Sequence, residues 1–332
     1  MPSKGQEIVS ASTNMAGLQA RRSRRGLLGG VAGFGAAGLA ARSQRTGAAQ
    51  AAPHDDGTSV EIVERTTGTS HDGGLLPTYR LLTYYGFPTN PNMGILGEYG
   101  VNDDLDGLRA ALLEQAAGYE AADPSRPILP GFEVIASVAQ ADPMADGSYL
   151  AHTDAALIQP YVDYTAANDM VLFLDYQFGR TSLERELAMA ESWLLYPHVH
   201  LALDPEFKMN ADELPGVHIG QITGPEVTVA QEWLADLCER NGLPPKVLTV
   251  HQFHYSMIEQ KELISPVSGV QLVVDMDGHG PPWMKADSYA VVITQEPIEY
   301  HGIKLFYPFD DPLMTPAEVL AFDPPPDLII YQ

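Results

Sequence analysis

The stretch Val199-His-Leu-Ala-Leu-Asp204-Pro-Glu206 starts as an apolar run and ends in two carboxylates. Its length is that of a buried strand, and the change of character falls at its C-terminal end. Three further runs have the same form: Val171-Leu-Phe-Leu-Asp175-Tyr-Gln177, Val247-Leu-Thr-Val-His251-Gln252 and Leu272-Val-Val-Asp275-Met-Asp277. Near-continuous apolar strands belong to parallel sheets covered on both faces, and chemistry at their carboxyl ends belongs to barrels of alternating strands and helices. Alternation sharpens the reading. In the first run Leu201 and Leu203 share one face, while His200, Ala202, Asp204 and Glu206 share the other. The apolar face meets the helices, so the acids point into the barrel mouth. Gln271, Val273, Asp275 and Asp277 repeat the pattern.

Working outward, strands are expected at 79–85, 132–139, 170–175, 199–204, 246–251, 270–275, 303–307 and 327–332. Helical spacing is expected over 103–122, 153–168, 182–195, 227–241 and 315–322, with a short helix at 256–264. N-capping residues open 153–168 and 182–195, and Gly242 stops 227–241. Thr315-Pro-Ala-Glu318 carries the signature of a capping box. The segment Tyr289-Ala-Val-Val-Ile-Thr294 has strand propensity, but eight residues are too few for a parallel crossover to the next strand. We therefore read 284–295 as helix, with an inserted hairpin as the competing choice. The outcome is an α/β fold, a (β/α)8 TIM-type barrel of eight parallel strands over 79–332, close to the ~250 residues typical of that architecture.

The N-terminal part differs. Residues 1–51 hold seven of the chain's 19 Lys and Arg and a single acid, Glu7. Ser23-Arg24-Arg25-Gly26-Leu27-Leu28, a Gly/Ala-rich stretch over 29–41 and Ala49-Gln50-Ala51 follow in order. This resembles a twin-arginine export signal, cleaved near Ala51. It implies a secreted or periplasmic, cell-envelope protein of bacterial type. The stretch is shorter than the ~20 apolar residues of a membrane span, so no stable membrane insertion of the mature chain is expected. Residues 52–78 read as a flexible linker. The formal net charge is −24, and removing the basic segment leaves the rest more acidic still. Such a surface repels nucleic acid and anionic headgroups and favours a neutral or cationic small-molecule or polysaccharide substrate. The single cysteine, Cys238, excludes an internal disulfide and reads as a small core residue. The oligomeric state has no signature in the sequence.

Asp204 and Glu206, at i and i+2 on a strand end, project to one side. Such closeness splits pKa values and leaves one carboxyl protonated and one ionised, as glycosidic cleavage requires. Glu206 is the expected general acid, with Asp204, Asp175 or Asp275 as the partner carboxylate. Tyr85, Gln177, His251, Gln252, Asp277, Trp283 and Tyr307 are expected to hold the substrate, since sugar rings stack on aromatic faces among polar groups. No cofactor is expected. A divalent metal held by His251, Asp275 and His279 is the alternative, although the spacing matches no zinc pattern. Gly-x-Ser-x-Gly and Gly-x-Gly-x-x-Gly are absent from the sequence.

In layout, residues 79–332 resemble the secreted (β/α)8 glycoside-hydrolase-like proteins of bacteria. The Asp-x-Glu at Asp204 and Glu206 is similar to the acidic motif on strand four of several such families, where the Glu serves as acid. It departs from the spaced acids of chitinases and from the Asn-Glu ending of many retaining enzymes. The resemblance implies hydrolysis of a carbohydrate. A carbohydrate-binding or cell-envelope barrel without turnover is the alternative, as is a metal-dependent hydrolase.

Overall fold

The structure, a computed structural model, describes residues 73–332. The expected export signal (1–51) and most of the expected linker lie outside the described residues. Eight strands form the barrel: β1 (Arg80–Gly86), β2 (Ile128–Ala139), β3 (Val171–Gly179), β4 (Val199–Lys208), β5 (Lys246–Gln252), β6 (Val270–Met276), β7 (Tyr300–Leu305) and β8 (Leu328–Tyr331). Each pairs in parallel with its sequence neighbours, and β1 pairs with both β2 and β8, so the sheet closes on itself. The expected (β/α)8 architecture is the one observed.

Strand alternation creates two apolar layers. Leu201, Leu203, Leu248, Val250, Leu272 and Val274 face outward and pack with the helices. Leu81, Val171, Phe173, Val247, Val273 and Ile330 fill the lower interior. Below them Leu76 closes the barrel floor, held by Gln271, whose Oε1 accepts from the Leu75 and Leu76 amides at 2.8 and 3.1 Å. Residues 74–77, expected as the end of a linker, thus belong to the packed domain.

The connecting helices are α1 (Ile95–Gly100), α2 (Leu105–Ala122), α3 (Ala155–Ala167), α4 (Leu183–Leu194), α5 (Gly224–Asn241), α6 (Pro282–Tyr289) and α7 (Pro316–Leu320). Ser182 caps α4, Thr315 and Glu318 form a capping box on α7, and Gly242 ends α5 with φ 62°. The cap of α3 is Asp154, because the Thr153 hydroxyl is drawn to the Ile135 carbonyl. Over 284–295 the chain is helical, α6 running into a π turn at Ala290–Thr294. The expected helix at 256–264 is not formed: two 3-10 turns and a two-residue bridge to Ile222–Thr223 occupy it. A short strand, Leu150–His152, adds antiparallel to the top of β2 and was not anticipated.

Candidate active site

The inward positions near the strand tops carry charge instead of hydrocarbon. Tyr85 on β1 lies level with Glu133 on β2, Asp175 on β3 with Ala202 on β4, and His251 on β5 with Asp275 on β6. Gly302 on β7 lies level with Asp275. The small residues Ala202 and Gly302 leave the interior volume that the acids and the imidazole fill.

His251 is the hub. Its Nδ1 is 3.0 Å from Asp275 Oδ2 and its Nε2 is 2.9 Å from Glu133 Oε1. Asp277 Oδ2 and Asp175 Oδ1 stand a little further off, at 3.8 and 3.9 Å. An ionised carboxylate only accepts, so an imidazole between two of them holds a proton on each nitrogen. Burial and the Lys304 charge oppose this, but the bonds to Asp275 and Glu133 outweigh them and hold His251 well above the usual range. Thr83 Oγ1 donates to Glu133 Oε2 at 3.3 Å. Lys304, on β7, places Nζ 3.4 Å from Asp277 Oδ2 and 3.6 Å from the centre of the Tyr85 ring. Burial works against its charge, yet Asp277, Glu133, Asp175 and Asp275 together keep it raised.

The upper carboxyls are tuned the other way. Tyr85 Oη donates to Asp175 Oδ2 at 2.8 Å. Burial pushes Asp175 up to about 6, with Glu133 adding to burial while His251, Lys304 and the Tyr85 bond restrain it. Asp204 is pushed well above the carboxylate range, first by burial and then by Asp175 and Glu206. Its Oδ1 accepts from the Glu206 amide at 3.2 Å. Glu206 is half-buried at the rim.

The fold thus gathers Asp175, Asp204, Asp275, Asp277, His251 and Tyr85, with Glu206 above them. Other expected residues lie elsewhere. Gln177 is buried against β2, its Oε1 accepting from the Ala139 amide at 2.8 Å. Gln252 turns to the β5–β6 connection, where its Oε1 accepts from Lys261 Nζ at 2.9 Å. Tyr307 stacks on Tyr331 at 5.2 Å between ring centroids and donates to Gln115 of α2 at 3.3 Å, outside the barrel wall. Trp283 stands exposed at the start of α6. The His279 ring rests on Phe306 and Phe309. Both nitrogens of His251 face carboxylates, and among the described residues no three His, Cys, Asp or Glu side chains are arranged to hold a metal ion. The His251, Asp275 and His279 ligand set therefore has no geometric support.

Glu133, Lys304 and Thr83 were not anticipated. The available signal was a charge inside an apolar strand: Glu133 in Phe132-Glu-Val-Ile, and Lys304 in Ile303-Lys-Leu. A groove of about 610 Å³ lined by Glu232, Cys238 and Gly269 lies at the opposite end of the barrel, where α5 ends and β6 begins. Cys238 is buried, which raises its thiol pKa. No family model and no curated protein matches the chain.

Proposed function

We propose that this chain is a hydrolase that cleaves glycosidic bonds at the barrel mouth, with Asp204 as proton donor and Asp175 as its ionised partner. The observation that carries the reading is the unequal upward shift of two buried carboxyls on adjacent strands. Burial, Asp175 and Glu206 push Asp204 well above the carboxylate range, while Asp175 is raised only to about 6. That is the division of labour of general acid and base, or of acid and charge stabiliser at an oxocarbenium-like centre. The role first expected of Glu206 passes to Asp204, the more buried of the two. Glu206 sits above it, placed to contact substrate.

The surroundings fit an uncharged or cationic carbohydrate. The exposed rings of Tyr255 and Phe309, in the chain that follows β5 and β7, offer faces for sugar stacking. Among the described residues no helix is long and apolar enough to cross a membrane. The N-terminal resemblance supports action on an extracytoplasmic glycan.

The test is release of reducing ends from a polysaccharide panel. The wild type should act on at least one member, and Asp204→Asn should lower kcat by about 10²–10⁴. Glycan binding without cleavage by the wild type would favour the binding-protein alternative. Equal cleavage by both proteins would remove Asp204 from the chemistry.

A further inference from the structure

We infer that the barrel mouth selects a substrate bearing a protonated amine, so that the carbohydrate proposed above is an amino sugar with a free ammonium group. The inference takes its carbohydrate from the hydrolase reading and its charge from the site alone.

Charge balance is the first argument. Five carboxyls, Glu133, Asp175, Asp204, Asp275 and Asp277, surround the cations of His251 and Lys304, while the nearby buried ammonium of Lys285 is taken up by Asp310. Buried charges are tolerated when paired, and carboxylates in excess must take up protons or meet a cation. The raised values of Asp175 and Asp204 are the proton-uptake answer of the free protein. A bound ammonium is the other answer.

The second argument is independent of charge. Among the described residues Asp175 Oδ1, Asp275 Oδ1 and Asp277 Oδ1 are buried and lack a hydrogen-bond partner. Asp175 and Asp275 are wholly sealed from solvent. Acceptors left over in such number match a group that only donates, and an ammonium offers three donors. The exposed edge of the cluster is also acidic. Asp277, which pairs with Lys304, keeps a little surface, so an entering cation meets a carboxylate first. Among the described residues no three His, Cys, Asp or Glu side chains are arranged to hold a metal ion, so the cation that matches these acceptors is an organic ammonium.

The experiment titrates the full chain at neutral pH with a glucosamine tetramer and its fully N-acetylated counterpart by calorimetry, while reducing ends are assayed in parallel. The free-amine tetramer should bind at least about tenfold more tightly, the scale of one added charge pair. Asp277→Asn, which removes one of these carboxylates, should erase that preference. Should that variant fail to fold, the wild-type comparison decides alone. Equal affinities, tighter binding of the acetylated tetramer or no binding of either would overturn the inference. So would stoichiometric binding of calcium or manganese chloride that excludes the amine. Cleavage of the acetylated tetramer without amine preference would leave the hydrolase reading standing. Amine preference without cleavage of either would leave the inference standing and the hydrolase reading fallen.

Discussion

Glu133 Oε1 lies 2.9 Å from His251 Nε2, and both side chains are sealed inside the barrel. Removing one member of a buried ion pair leaves the other charge uncompensated. Glu133→Ala should therefore cost about 3–5 kcal/mol of stability, measured by urea unfolding. Glu133→Gln keeps an acceptor for the imidazole and should cost less. A loss below about 1 kcal/mol for the alanine variant would show that His251 does not depend on this carboxylate.

Asp175 gives a pH dependence with a definite sign. Its folded-state value, about 6, stands above its ordinary 3.8, so the folded protein binds this proton more tightly than the unfolded chain does. The resulting stabilisation is complete below 3.8 and disappears as pH rises through about 6. Asp175→Asn lacks this linkage. Its melting temperature relative to wild type should rise between pH 4 and pH 7. A difference independent of pH across that window would contradict the burial-driven shift.

Gly302 is needed for its missing side chain. A Cβ there would meet Asp275 Oδ1 at 2.8 Å and the Asp275 Cα and Cβ at 3.0 Å. Because a backbone atom is involved, the clash cannot be relieved by a rotamer change. Gly302→Ala should cost about 1–3 kcal/mol and loosen the Asp275–His251 contact. Thermal unfolding measures the first effect. The His251 imidazole resonances, which should move in the variant, measure the second. Unchanged stability and spectra would mean that the interior has slack at this level.

Lys285 links the loops that carry this apparatus. Its buried ammonium pairs with Asp310 at 3.0 Å and donates to the carbonyls of Gly278 and Lys304, beyond β6 and within β7. Lys285→Met keeps the stem but leaves Asp310 unpaired, and should lower stability by about 3–5 kcal/mol in urea unfolding. Restoration by the double change Lys285→Met with Asp310→Asn would identify the orphaned carboxylate as the cause. A loss in the double variant as large as in the single one would assign it to the carbonyl contacts.

Much of this is legible in the sequence. The barrel followed from apolar runs that exchange hydrocarbon for acid at one end, and period-two alternation placed Asp204, Asp275 and Asp277 on the inner face. Alternation fails where a charge interrupts an apolar strand without marking its end. Glu133 and Lys304 carry no such end signal, although a charge within a strand buried on both faces itself signals that it has a partner. Trp283 and Tyr307 were grouped with the mouth by their position after β6 and β7. A strand end fixes where a loop begins, whereas the direction of a side chain beyond it depends on helices whose packing one sequence does not report. The 256–264 segment has the same origin: the bridge from Ile258 to Ile222 competes with helix formation, and that partner is distant in the chain.

The central claim is that the barrel mouth holds aspartates that keep their protons where surface acids have lost theirs. Carboxyl carbon resonances of the ¹³C-aspartate-labelled protein, followed from pH 3 to pH 9 in wild type and Asp175→Asn, test it directly. The expected result is one aspartate titrating near 6 and absent from the variant, with Asp204 protonated to higher pH. Titration of every aspartate at or below about 4, the range of a solvated carboxyl, would contradict it.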